Sequence, residues 1–204
     1  MTFLYDIGRV LLDFEFEPRL ARLMPAGVED GEARLARLLE RKDDFEAGRI
    51  PADEWTAWCL EVLGSDADAQ VFRETWQDIF TPNEPMWEVV RRLKEAGHRL
   101  ILFSNTNAIH CPWVFEKYPQ FSLFDEAVLS FEAGEVKPHA PIYETAVDRH
   151  ALVPEETLYI DDLAQNIETG KAFGFHCWQY DFNDHASFEE WLAGFSLFSR
   201  RIAS

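Results

Sequence analysis

The chain has 204 residues, 47% of them apolar, which suffices for one domain with a sizeable core or for a core with a modest insertion. Nineteen Lys and Arg stand against 37 Asp and Glu, a formal net charge of −18 at pH 7. Such a surface repels phosphate backbones and anionic lipid, so neither nucleic acid nor a membrane is expected as a partner, and a small anionic substrate would need a local cation. Cys59, Cys111 and Cys177 are odd in number and scattered, which gives neither a disulfide framework nor metal-ligand spacing. No basic segment precedes an apolar core at the N-terminus, Asp6 interrupts early, and no apolar run approaches ~20 residues. The expectation is a soluble, cytoplasmic protein; the composition does not set an oligomeric state.

In chain order, the first apolar run, Phe3-Leu4-Tyr5, delivers Asp6; Gly8 follows, and a second apolar run resumes through Leu12. A continuous apolar run bounded by a turn signal reads as a buried strand with Asp6 at its carboxyl end, the edge where open α/β sheets bind ligands. Alone, Asp6 reads equally well as the N-cap of a following helix. Residues 15–83 are polar and helix-forming. Leu20, Leu23 and Met24, then Leu35, Leu38 and Leu39, then Trp55, Trp58 and Cys59 recur at helical spacing, Gly48 and Pro51 mark a turn, and no strand is evident. From Pro85 helices and strands alternate. Met86, Val89, Val90 and Leu93 line a helix that Gly97 stops, and residues 99–103 form a short strand ending in Ser104-Asn105-Thr106-Asn107. A helical stretch, a strand at 127–130, a loop with Gly134, Lys137 and Pro138, and a helix at 142–150 follow. Residues 158–160 form a strand ending in Asp161-Asp162. A helix at 164–173 stops at Gly174, 175–180 is the last strand, and Phe188, Trp191, Leu192 and Phe195 mark an amphipathic tail. The alternation implies βαβ units and a parallel sheet.

Right-handed crossovers bring every strand's carboxyl end to one edge, so Asp6, Ser104, Lys137 and Asp161-Asp162 converge there. Together they suit phosphoryl chemistry: a carboxylate nucleophile, a hydroxyl and backbone N–H groups for phosphoryl oxygens, a cation to offset charge, and paired carboxylates for Mg²⁺.

Asp6-Ile7-Gly8-Arg9-Val10-Leu11, Leu102 to Asn107, Val136-Lys137-Pro138 and Tyr159-Ile160-Asp161-Asp162 resemble, in order, the four motifs of the haloacid dehalogenase-like hydrolase superfamily. The run Asn166 to Gly174 and the helical turn Phe45 to Trp55 also match, so the resemblance spans essentially the whole chain. The Ser-Asn-Thr-Asn run and Gly8 point to its bacterial α-glucose-1-phosphate phosphatases. The resemblance implies an α/β, Rossmann-like three-layer sandwich with a parallel sheet (residues 1–14 and 84–204) and an inserted α-helical cap (15–83). It implies hydrolysis of a small phosphorylated metabolite, such as a sugar phosphate, through an aspartyl-phosphate. It makes Asp6 the nucleophile, Ser104 and the Asn105 amide the phosphate clamp, and Lys137 the bridge between Asp6 and phosphate. Asp6, the Gly8 carbonyl and Asp162 become magnesium ligands, with Asp161 as ligand or support.

Two positions depart from that pattern. Most phosphatases of the superfamily carry an acid/base aspartate two residues after the nucleophile, where this chain has Gly8. Water, the substrate or a cap residue takes its place, or an anomeric leaving oxygen needs less help. Arg9 stands where a short residue is usual, and either contacts an anionic substrate or pairs with a surface acid. The absent aspartate also fits a haloacid dehalogenase, or a non-catalytic phospho-ligand-binding protein. The Asp161-Asp162 pair argues against the dehalogenase, since halide release needs no metal. His110 reads as a polar helix-face residue rather than a substrate contact. Trp55, Trp58, Trp76 and Trp87 read as helix packing, with one of them as a lid over a sugar the sharper alternative.

Overall fold

A computed structural model describes residues 1–195 of the chain. The elements run β1 (Thr2–Tyr5), β2 (Leu12–Phe14), α1 (Glu17–Leu20), α2 (Gly31–Leu38), α3 (Lys42–Glu46), α4 (Ala52–Leu63), α5 (Ala69–Gln77) and β3 (Phe80–Pro82). Then come α6 (Glu84–Glu95), β4 (Arg99–Ser104), α7 (His110–Lys117), β5 (Glu126–Leu129), α8 (Ser130–Ala133), α9 (Ala140–His150), β6 (Thr157–Asp161), α10 (Ala164–Ala172), β7 (His176–Gln179) and α11 (His185–Ala193).

Five strands form one parallel sheet in the order β5-β4-β1-β6-β7. The central strand is therefore the first in sequence: Thr2 is in register with Arg99 on one side and Thr157 on the other. Side chains alternate across the sheet with period two. Phe3, Tyr5, Leu100, Leu102, Leu158 and Ile160 pack on one face with Val90 and Leu93 of α6, Val114 of α7 and Phe188 of α11. Leu4, Ile101, Phe103 and Tyr159 pack on the other with Ile142 and Tyr143 of α9 and Ile167 of α10. Helices on both faces make the three-layer, Rossmann-like α/β sandwich that the motif order implies. On α10, a Cβ added at Gly170 would come within 2.6 Å of the Tyr159 ring, so this glycine lets the helix lie close on the sheet.

The helices from α1 to α5 enclose a cluster of their own, built on Leu20, Phe45, Trp55, Cys59, Leu63, Phe72 and Trp76. The chain leaves toward them along β2 and returns along β3, and these two strands pair antiparallel, Phe14 opposite Phe80 and Leu12 opposite Pro82. β3 corrects the sequence reading, which finds no strand in residues 15–83. Three residues, one of them proline, carry no alternation, and only the partner β2 makes them a strand. Asn83 anchors the ribbon, its Nδ2 donating to Val10 O at 2.7 Å and to the Tyr180 hydroxyl at 2.9 Å. Among the described residues no helix is long and apolar enough to cross a membrane.

Candidate active site

Asp6 follows β1 directly, and its amide donates to Ile160 O at 3.0 Å, which keeps it in line with the sheet. No helix begins there, so Asp6 is not an N-cap. The chain turns back instead, with Leu11 and Leu12 amides donating to Ile7 O at 3.0 and 2.9 Å. At Gly8 an added Cβ would stand 3.1 Å from the Phe14 ring, a tight contact that the ring would have to yield to by a few tenths of an ångström. Arg9 has a left-handed φ of 56°. It pairs with Asp13 and lies over the Phe14 ring, 4.7 Å from its centroid. Of its two expected arrangements this is the one with a neighbouring acid.

Lys137 joins the other strand ends. Its Nζ donates to Phe103 O at 2.7 Å and to Asp161 Oδ2 at 2.6 Å, and lies 3.1 Å from Asp6 Oδ1. The last contact is an ion pair without hydrogen-bond geometry, so the buried Asp6 Oδ1 accepts no hydrogen bond. Asn105 fixes the loop that carries Lys137: its Oδ1 accepts from the Lys137 amide at 2.8 Å and its Nδ2 donates to Lys137 O at 2.9 Å. Asp161 is fully buried and its carboxylate is saturated. Oδ2 accepts from Lys137 and from the Tyr159 hydroxyl at 2.6 Å, and Oδ1 from the Leu163 amide and Asn166 Nδ2, both at 2.9 Å. The carboxylates hold the Lys137 proton more tightly than usual, although burial opposes them. Burial pushes the Asp6 carboxyl up, and Asp161 and Asp162 reinforce that against the pull of Lys137. Asp162, half-buried beside Asp161, is pushed up to about 6 by burial first and by Asp161 second.

One oxygen from each of Asp6, Asp161 and Asp162 falls within a sphere of contacts no wider than 4.8 Å. Hard oxygen donors this close suit a divalent cation such as Mg²⁺, and the orphaned Asp6 Oδ1 is an atom such a cation would satisfy. Asp162 is the carboxylate with room to coordinate, while the saturated Asp161 fits support of Lys137. Ser104, buried at the end of β4, accepts weakly from the Ile7 amide at 3.4 Å.

A cavity of about 290 Å³ opens beside this edge. Gly8, Ser104 and Asn105 line one end. Its walls are aromatic, with Phe14, Phe16, Phe45, Trp55, Trp76 and Phe80, and it also carries the Lys42–Glu46 ion pair, 2.8 Å apart. The indole N–H groups of Trp55 and Trp76 are buried without a partner. His110, also in the wall, is a buried clamp. Asn107 Nδ2 donates to its Nδ1 at 3.1 Å, so Nε2 carries the proton and donates to Trp76 O at 2.9 Å. Asn107 Oδ1 accepts from the Ile109 and His110 amides, which fixes its amide orientation. Burial pushes the imidazole down to about 3, so it is neutral.

The family model for haloacid dehalogenase-like hydrolases matches residues 1–174. The chain belongs to this hydrolase family. It is 25% identical over 186 residues to a D-ribitol-5-phosphate phosphatase of Bacteroides thetaiotaomicron, covering 86% of this chain and 89% of that one. It is 28% identical over 141 residues to a sesquiterpene phosphatase, astK, of Aspergillus oryzae, covering 66% and 69%. Among solved structures, a haloacid dehalogenase-family enzyme of B. thetaiotaomicron, bt-2542, in complex with magnesium and inorganic phosphate superposes with a TM-score of 0.78 at 21% identity, covering 92% of this chain and 98% of that one.

In this hydrolase every sequence-predicted site residue reaches the same sheet edge. The sequence reading assigns no role to the side chains that hold them, those of Asn105, Tyr159 and Asn166: Asn105 bonds to Lys137, 32 positions away, while Tyr159 and Asn166 both donate to Asp161 close by in sequence.

Proposed function

We propose that this hydrolase cleaves phosphoric monoesters of small metabolites with Asp6 as nucleophile. The observation that carries the reading is the buried Asp6 carboxylate, one oxygen without a hydrogen bond, set against Lys137 and two further carboxylates. Asp6 attacks phosphorus in line, the ester oxygen leaves, and water then hydrolyses the aspartyl-phosphate. Lys137 offsets the charge of nucleophile and phosphate, and Asp161 keeps it in place. The Ser104 hydroxyl and Asn105 amide hold phosphoryl oxygens. Magnesium, held by Asp6, Asp162 and the Gly8 carbonyl with Asp161 in support, supplies the positive charge that lets an anionic ester approach three carboxylates. The helices of residues 15–83 act as the cap that closes over the leaving group.

Two phosphatase names among the relatives support this reading, as does the magnesium and phosphate held by the similar structure. A sugar or polyol phosphate, with glucose-1-phosphate as one candidate, fits the finer reading. Aromatic walls such as these stack on the C–H faces of a polyol. The test is phosphate release from a panel of sugar phosphates and an aryl phosphate, with and without Mg²⁺. Asp6→Asn is expected to abolish turnover while the far-ultraviolet spectrum and unfolding midpoint stay folded. Undiminished release by that variant would sink the assignment.

A further inference from the structure

We propose that Glu46 is the catalytic acid and base of this site, giving the leaving oxygen its proton and then taking one from the attacking water. The inference rests on the phosphatase reading above.

Cleaving an alkyl phosphate leaves an alkoxide, and hydrolysing the acyl phosphate that follows needs an activated water. A positioned acid–base group contributes ~10²–10⁴-fold to such steps. The edge of the sheet has none to offer. Asp6 is the nucleophile, all four acceptor positions of Asp161 are taken, and Asp162 is committed to the cation. Lys137 holds its proton between two carboxylates. Position 8 is glycine and has no side chain to offer. His110 is neutral with both ring nitrogens engaged.

The cavity wall supplies the remaining candidates, Lys42 and Glu46. Lys42 is a poor acid, because Glu46 and Asp43 hold its proton against the effect of burial. Glu46 is different. Its side chain is only 15% exposed, Lys42 Nζ donates to Oε2, and no described residue donates to Oε1. Burial raises its carboxyl above the usual range, Lys42 and the more distant Lys137 oppose this, and Asp43 adds to it. These three are the charged groups that act on it. A carboxyl so placed holds a proton more readily than an exposed glutamate.

Its placement is fixed from outside the helical cluster. Two residues on, Gly48 adopts φ 70°, and a Cβ there would fall 2.3 Å from Phe131 O, so the turn lies directly on the backbone of α8. Arg49 reaches Glu135 of the same region at 3.5 Å. Glu46 lines the same cavity as Gly8, Ser104 and Asn105, and is near enough to Lys137 for that ammonium to act on it. In the first step the Asp6–phosphorus bond forms, the phosphorus–oxygen ester bond breaks, and the Glu46 proton moves to the departing oxygen. In the second, water oxygen bonds to phosphorus, its proton returns to Glu46, and the Asp6–phosphorus bond breaks to release inorganic phosphate.

The experiment compares wild type, Glu46→Gln and Glu46→Asp on an alkyl ester, glycerol 3-phosphate, and on p-nitrophenyl phosphate, whose leaving group needs no proton. With Mg²⁺, Glu46→Gln should lose 10²–10⁴-fold in kcat on the alkyl ester. On the aryl ester it should still give a burst of about one nitrophenol per site, then turn over slowly, because only the water step is impaired. Glu46→Asp, which keeps the charge beside Lys42, should fall between and shift the pH profile. Wild-type turnover of the alkyl ester by Glu46→Gln overturns the proposal, as does the absence of a nitrophenol burst from that variant. Asp6→Asn separates the two claims, since it should abolish the burst as well. A burst that survives in Asp6→Asn overturns the nucleophile assignment and the Glu46 proposal with it.

Discussion

At the scale of single residues, Lys137 and Asp161 divide their labour by hydrogen-bond count. Asp161 spends both oxygens on four donors and so orients the ammonium; Asp6 keeps one oxygen without a hydrogen bond. The Tyr159 hydroxyl is one of those donors, from the face of β6 opposite the α6 layer. Tyr159→Phe removes a hydrogen bond to a charged acceptor and should cost ~1.5–3 kcal/mol in urea unfolding. A variant as stable as wild type would show that Lys137 alone satisfies Asp161 Oδ2. Asp6, Ser104, Asp161 and Asp162 stand out in the sequence as polar residues at the ends of apolar runs, whereas Lys137 stands in a loop between Gly134 and Pro138. Asn105 was legible only as a backbone amide. Its side chain closes a bidentate bond to a residue 32 positions away, and a sequence does not display that distance as proximity.

The elements were legible wherever burial repeats along the chain. β4 and β6 are continuous apolar runs because both of their faces are covered, and α6 shows its apolar stripe at Met86, Val89, Val90 and Leu93. β3 was not, since its identity comes from β2. The seam between α5 and α7 was also hidden, although its chemistry is simple. His110 links the Trp76 carbonyl to Asn107 and stacks on the Trp76 ring with centroids 5.0 Å apart. Unfolded, this imidazole takes a proton near pH 6.5; folded, only near pH 3. Between those values the unfolded chain binds the extra proton. The stability from this residue is thus complete above pH 6.5 and drains as pH falls, by up to ~1.4 kcal/mol per pH unit. Urea unfolding at pH 7.5, 6 and 5 should show a steeper acid loss for wild type than for His110→Gln. Parallel slopes would remove His110 from the acid lability.

For the whole molecule, a net charge of −18 makes the cluster at the sheet edge a local extreme of a general condition. A divalent cation bound there should stabilise the folded state by mass action, ~2.7 kcal/mol at a hundredfold excess over its Kd. Thermal unfolding with added MgCl₂ should show a saturable rise in Tm, larger than NaCl gives at matched ionic strength and reduced in Asp162→Asn. Equal effects of the two salts would assign the stabilisation to screening alone.

The position of β1 sets a problem for synthesis. β1 needs partners on both sides, and both lie later in the chain, from residues 99 and 157 onward. Until then Phe3, Leu4 and Tyr5 form an apolar segment with two open edges, the kind that recruits foreign strands. The intervening helices draw on neighbours close in sequence and are free to condense meanwhile. In the nascent chain residues 3–5 therefore wait unpaired until β4 and β6 have been made, and aggregation at that stage is a hazard seated in them rather than in the exposed surface of the finished protein.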